Sequence, residues 1–183
     1  VIPAAKWKAM TICTMPILGF TMVFYSIMNL FHLDFLPKQM MEISYLGFLP
    51  YNIIGSFISA YIFFGAIQEE LIRCGKKRWV QLLTLSIMML PACMMSVTTS
   101  GDINVDLTVH GFITLCYCSW IYGKTRSTII LIVLYFVSNL VPFHFESKVL
   151  GILLLIAGTA LTIGGFAALS RKLPEMLVKD EDE

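Results

Sequence analysis

The charges of this chain fall in short knots separated by long apolar runs, and that alternation constrains its fold more than any other feature. Six runs stand out: Ala9 to Phe31, Ser44 to Ile67, Trp79 to Thr98, Val105 to Gly123, Ser127 to Phe143 and Val149 to Ser170. A helix rises about 1.5 Å per residue, so roughly 20 apolar residues cross the ~30 Å hydrocarbon core of a bilayer. Hydrocarbon offers no partner to backbone amides and carbonyls, which selects helices over open strands. Of the 183 residues, 57% are apolar and only 14% charged, far from the usage of a water-soluble domain. The sequence therefore predicts an all-α integral membrane protein with six transmembrane helices. They form a single domain over residues 1–170, and an acidic tail over 171–183, ending in "KDEDE", follows it.

Lysine and arginine give the orientation, because cytoplasmic loops carry the excess. With the amino terminus inside, the inner face holds Lys6, Lys8, Arg73, Lys76, Lys77, Arg78, Lys124, Arg126, Arg171, Lys172 and Lys179. Only Lys38 and Lys148 fall outside, which accounts for all 13 basic residues. Both termini are thus expected in the cytoplasm, in a bacterial inner (plasma) membrane. The net charge of +1 gives no reason to expect a nucleic-acid partner.

The inner-face basic cluster Arg73, Lys76, Lys77 and Arg78 lies in "AIQEELIRCGKKRW", at the predicted inner end of the second helix, where Glu70 and Arg73 are spaced to pair at i,i+3. Ionisable groups within a span are costly and draw attention to His110, in "TTSGDINVDLTVHGF". Asp102 or Asn104 can cap that helix, and Asp106 precedes His110 by four residues, sharing its face. The predicted topology brings His32, His110 and His144 to the outer side, level with Asp34, Asp102, Asp106 and Glu146. Three imidazoles with nearby carboxylates make a candidate zinc site, with Asp102 or Asp106 as base or orienter. They are also a candidate haem ligand set. Neither H-x-x-x-H nor H-E-x-x-H spacing is present, and interfacial placement alone accounts for the clustering. No cofactor is expected on balance.

The five cysteines form no C-x-x-C pair, and disulfides are not expected. Methionine runs such as "SIMMLPACMMSV" read as adaptable packing. In the last run Gly158, Gly164 and Gly165 offer a small-residue face for close helix packing, within the protein or against a partner. Asn29, Asn52 and Asn139 are candidates to line a polar path, the basis of a transporter reading.

Two resemblances follow. Glu69 and Glu70 with Arg73 nearby resemble the intramembrane protease family that processes prenylated proteins and includes bacteriocin-immunity proteins. That likeness implies those glutamates as catalytic candidates, or an inactive relative, because "LYFVSNL" offers Tyr135 and Asn139 with no imidazole. Over nearly the whole chain, the order of helices and loops resembles the bacterial six-helix membrane family called domain of unknown function nine-nine-eight, related in layout to eukaryotic Frag- and DRAM-like proteins. The residues that carry this are Ser44, Gly47 and Asn52, then Asp102, then His110 with Gly111. It implies a layout and no activity. The expectation is a small accessory subunit or lipid-associated factor, with membrane lipids and a membrane protein or a second copy as partners. The alternatives are an outer-face metal-dependent lipid amidase or esterase built on the three histidines, the protease or its inactive relative, and a small transporter.

Overall fold

The computed structural model of the protein describes residues 4–31, 45–98, 105–139 and 148–177. Those residues are helical apart from short turns, with no strand among them. We number the helices α1 (Ala4–Leu30), α2 (Tyr45–Ser59), α3 (Glu69–Arg73), α4 (Arg78–Thr98), α5 (Val105–Thr125), α6 (Thr128–Asn139) and α7 (Lys148–Leu177). A π-helical segment, Ala60–Gln68, joins α2 to α3, and the residues at both junctions keep right-handed helical dihedrals. The described residues thus form six rods. Two contain stretches long and apolar enough to cross a membrane, Trp7–Met28 in α1 and Lys148–Lys172 in α7. Helix α7 continues past Arg171, where the sequence placed the start of the tail, and runs through Pro174 to Leu177.

The rods alternate in direction. Gly151 of α7 faces Leu30, Gly158 faces Gly19, Met22 and Val23, and Gly165 faces Pro16, so α1 and α7 run antiparallel. Bare glycines let these two backbones touch. A Cβ on Gly19 would lie 2.5 Å from the Gly158 carbonyl oxygen and from the Thr162 amide nitrogen. Helix α5 also opposes α1, since the Tyr117 hydroxyl donates to the Cys13 carbonyl at 2.7 Å while the earlier His110 lies 3.3 Å from the later Thr21. The Asn52 amide donates to the Asn139 carbonyl at 3.1 Å, and Gly65 meets Thr128, so α6 opposes the second rod. Short α6 is central: it touches α1, α2, the π segment and α5, and buries Ile130, Leu131, Leu134, Tyr135 and Ser138.

Both described turns lie at one end. The first is a Schellman cap: Lys76 N–H donates to Leu71 O and Gly75 N–H to Ile72 O, each at 2.9 Å, with Gly75 at φ +66°. The second reverses at Arg126, whose N–H donates to the Tyr122 carbonyl at 2.8 Å and whose φ of +49° would suit glycine better. Alternation brings Lys8, Arg73, Lys76, Lys77, Arg78, Lys124, Arg126, Arg171 and Lys172 to that end, while Lys148 stands at the opposite one. Around the bundle, large apolar side chains face outward: Ile53, Ile54, Phe57 and Ile58 on α2, Leu83 and Ile87 on α4, Phe112 and Ile113 on α5, and Ile152, Leu153, Ile156 and Ile163 on α7.

The π segment has a geometrical reason. Asn52, Ser56, Ala60, Phe64 and Gln68 are all buried, at strict four-residue spacing. Four residues of α-helix turn about 40° beyond a full circle, so Gln68 would swing roughly 80° away from Ala60. The wider π turn, bonded i→i+5, drifts in the opposite sense, so it offsets what the α turns accumulate from Asn52 to Ala60 and holds Gln68 in the core.

Candidate functional site

Two polar places are built into the described bundle. At the charged end, Glu69 accepts from the Arg126 guanidinium at 2.7 Å and from the Tyr122 hydroxyl at 3.0 Å on one oxygen, while Arg73 Nε lies 3.5 Å from the other. Arg73 pairs with Glu69, one turn back at i,i+4, rather than with Glu70 as the spacing suggested. Glu70 instead lies on the exposed side and accepts a long contact from the Cys74 thiol at 3.9 Å. Partial burial raises the Glu69 pKa, but the hydrogen bonds from Arg126 and Tyr122 and the charges of Arg126 and Arg73 outweigh it, and the net shift is downward.

A carboxylate held ionised in this way stabilises the fold only while ionised. That stability is fully present above the ordinary glutamate range and is lost as pH falls through the lowered folded value, so the window opens below about pH 4.3. The thermal midpoint of Glu69→Gln is therefore expected to lie below that of the natural protein at pH 7 and to converge with it toward pH 3. Melts at both pH values check this.

Beside the clasp, Gln68 is 1% exposed. Its amide nitrogen donates to the Ser119 carbonyl at 3.0 Å and to Gln81 Oε1 at 3.3 Å, and the Gln81 amide donates to the Lys76 carbonyl at 2.8 Å. This network ties the π segment to α4, α5 and the first turn. The Gln68 carbonyl oxygen is buried with no hydrogen-bond partner.

The second place surrounds His110. Its ring is buried, 3.3 Å through Nε2 from Thr21 Oγ1. Phe20 stacks on it at 5.6 Å and 12°, and Phe24 and Tyr25 lie at 5.1 and 5.5 Å. Three aromatic rings from consecutive turns of α1 therefore enclose one imidazole of α5. The sequence singled out His110 but not this box, since nothing in "GFTMVFYS" marks Phe20, Phe24 and Tyr25 apart from other apolar residues.

His32, His144 and Asp102 lie outside the described residues, as does the side chain of Asp106, so the proposed three-histidine arrangement falls there too. Among the described residues no group of three or more histidine, cysteine or acidic side chains is placed to hold a metal ion. Gly158 and Gly165 pack against α1, whereas a Cβ on Gly164 would meet nothing within 4 Å. Gly19, the counterpart of Gly158, was not legible as a packing residue because it stands alone between bulky neighbours.

No protein-family model, curated protein or solved structure matches the chain. Of the residues that carry the six-helix family resemblance, Asn52 joins α2 to the end of α6 and His110 fills the aromatic box, while Ser44, Gly47 and Asp102 fall outside the described side chains.

Proposed function

We propose that the chain crosses a bacterial inner membrane six times, with both termini and the charged end in the cytoplasm, and serves there as a small accessory subunit or lipid-associated factor. The observation that carries this reading is the girdle of outward apolar side chains around a bundle whose described basic residues, Lys148 excepted, gather at one end. In water such a surface is unfavourable by about 25 cal/mol for each Å² of apolar area, whereas acyl chains meet it without cost. Basic residues at one end match the side that cytoplasmic loops take. The resemblance of the sequence to the six-helix family implies the same layout.

The accessory role rests on what fills the interior. Glu69 is held by Arg126, Tyr122 and Arg73, and His110 is enclosed by rings, so both are taken up by contacts within the bundle. On α7 the outer face offers Ile156 and Ile163 beside the open Gly164, a surface for lipid tails or a partner helix. Purification of the full chain from its own membranes in mild detergent tests the role. A stoichiometric protein or a retained lipid is expected. A chain that emerges alone and lipid-free would overturn it; one that carries about one zinc per chain and loses it in His110→Ala would overturn it in favour of the hydrolase reading.

A further inference from the structure

Glu69 and Glu70 are the acidic residues whose side chains are described, and both belong to the charged end. Glu69 is taken by Arg126, Arg73 and Tyr122, and Glu70 meets the Cys74 thiol. Among the described residues Lys76, Lys77, Arg78 and Lys124 therefore have no carboxylate partner. Packing gathers them at one corner. The Arg78 guanidinium reaches from the first turn across to α5, where a Cβ on Gly123 would lie 3.8 Å from its Nη2, and Lys124 is the next residue of that helix. Positive charge concentrated in this way repels itself and attracts an anion.

The same corner adjoins an apolar surface. Trp79 follows Arg78, and with Leu83 and Ile87 it makes an exposed stripe down α4 at four-residue spacing. Trp7 is likewise exposed beside Lys8 at this end. Indole rings between a charged zone and an apolar one match the boundary between headgroups and acyl chains. A basic cap joined to an apolar stripe has the two chemistries of a phospholipid in the same order, phosphate above and hydrocarbon below.

We infer that the corner of Lys76, Lys77, Arg78 and Lys124 binds the headgroup of an anionic phospholipid, whose acyl chains lie along Trp79, Leu83 and Ile87. The inference deepens the lipid-associated reading and rests on it. Charge selects the lipid: phosphatidylglycerol brings a phosphodiester with no cation of its own, whereas the ammonium of phosphatidylcholine cancels the phosphate charge and would be set against the lysines. The Arg78 fork offers paired N–H donors to two phosphate oxygens, and the lysines supply the remaining charge.

The test places the full chain in phosphatidylcholine vesicles that contain increasing fractions of brominated phosphatidylglycerol, whose bromines quench tryptophan on contact. Quenching should saturate at a lower fraction than with brominated phosphatidylcholine. Arg78→Gln and Lys124→Gln should each weaken that preference about fivefold, the equivalent of one basic residue at an anionic surface, while Lys148→Gln at the opposite end leaves it unchanged. Flotation after alkaline washing is measured alongside. Inserted protein that both lipids quench alike, or a preference that Arg78→Gln and Lys124→Gln retain in full, overturns the headgroup site and leaves the spanning reading intact. Displacement by inorganic phosphate beyond that by chloride of equal ionic strength also overturns it, assigning the corner to a soluble anion. So does a preference that emerges only when Asp180, Glu181, Asp182 and Glu183 are replaced by their amides, which assigns the corner to the chain's own acidic tail. Protein that washes off the vesicles overturns both readings.

Discussion

Gly19→Val is expected to abolish the α1–α7 contact and lower the thermal midpoint of the detergent-solubilised protein by about 6–12 °C, the equivalent of roughly 3 kcal/mol for a chain of this size. The added atoms would strike the Gly158 carbonyl and the Thr162 amide, each already 2.5 Å from an ideal Cβ, and neither is the end of a side chain that can rotate away. The helices must separate, and with them goes the most extensive pairing in the fold. Gly158→Val should act alike, because its Cβ would stand 2.8 Å from the Gly19 carbonyl and 2.9 Å from Met22 Cβ. Gly164→Ala is the control: with nothing within 4 Å, it should change stability by no more than about 0.5–1 kcal/mol, and in the favourable direction. Equal midpoints for Gly19→Ala and Gly164→Ala would contradict the close approach.

The second large effect belongs to Gln68. Gln68→Leu keeps the volume but leaves Gln81 Oε1 without its donor in the core, a cost of about 1–3 kcal/mol. Gln81→Leu removes the same bond from the other side and also releases the Lys76 carbonyl. Because the two glutamines share one interaction, the double variant should lose less than the sum of the singles, by about 0.5–1 kcal/mol or more. Strict additivity would mean that the π segment does not bring these side chains together.

These two sites show how legibility differs along the sequence. Apolar run lengths locate all six rods to within a few residues at most ends, since each run had to be a helix if it lay in hydrocarbon. Gly158 and Gly165 stood out in an alanine-rich and glycine-rich helix, but Gly19 did not, because close approach depends on which helix comes opposite. Likewise the run from Ser44 to Ile67 is apolar on every side, so its periodicity could not reveal a change from α to π winding. In hindsight the buried series Asn52, Ser56, Ala60, Phe64 and Gln68 held the signal, as four small or polar residues and one phenylalanine at a spacing of four rather than 3.6. Pairing of Arg73 with Glu69 instead of Glu70 shows the same limit. Both spacings are allowed on a helix, and Arg126, 57 residues away, decides which carboxylate turns inward.

The most direct measurement of the central claim is accessibility from the two sides of the membrane. Cys74 is exposed in the turn between α3 and α4, and Lys148 is exposed at the opposite end of the bundle, at the start of α7. In a chain whose other cysteines are replaced by alanine, a membrane-impermeant maleimide should label Cys74 only after the cells are permeabilised. In a second chain with Cys74→Ala and Lys148→Cys, intact cells should label fully. Labelling of both positions from the same side would contradict a bundle that spans the membrane with its charged end in the cytoplasm.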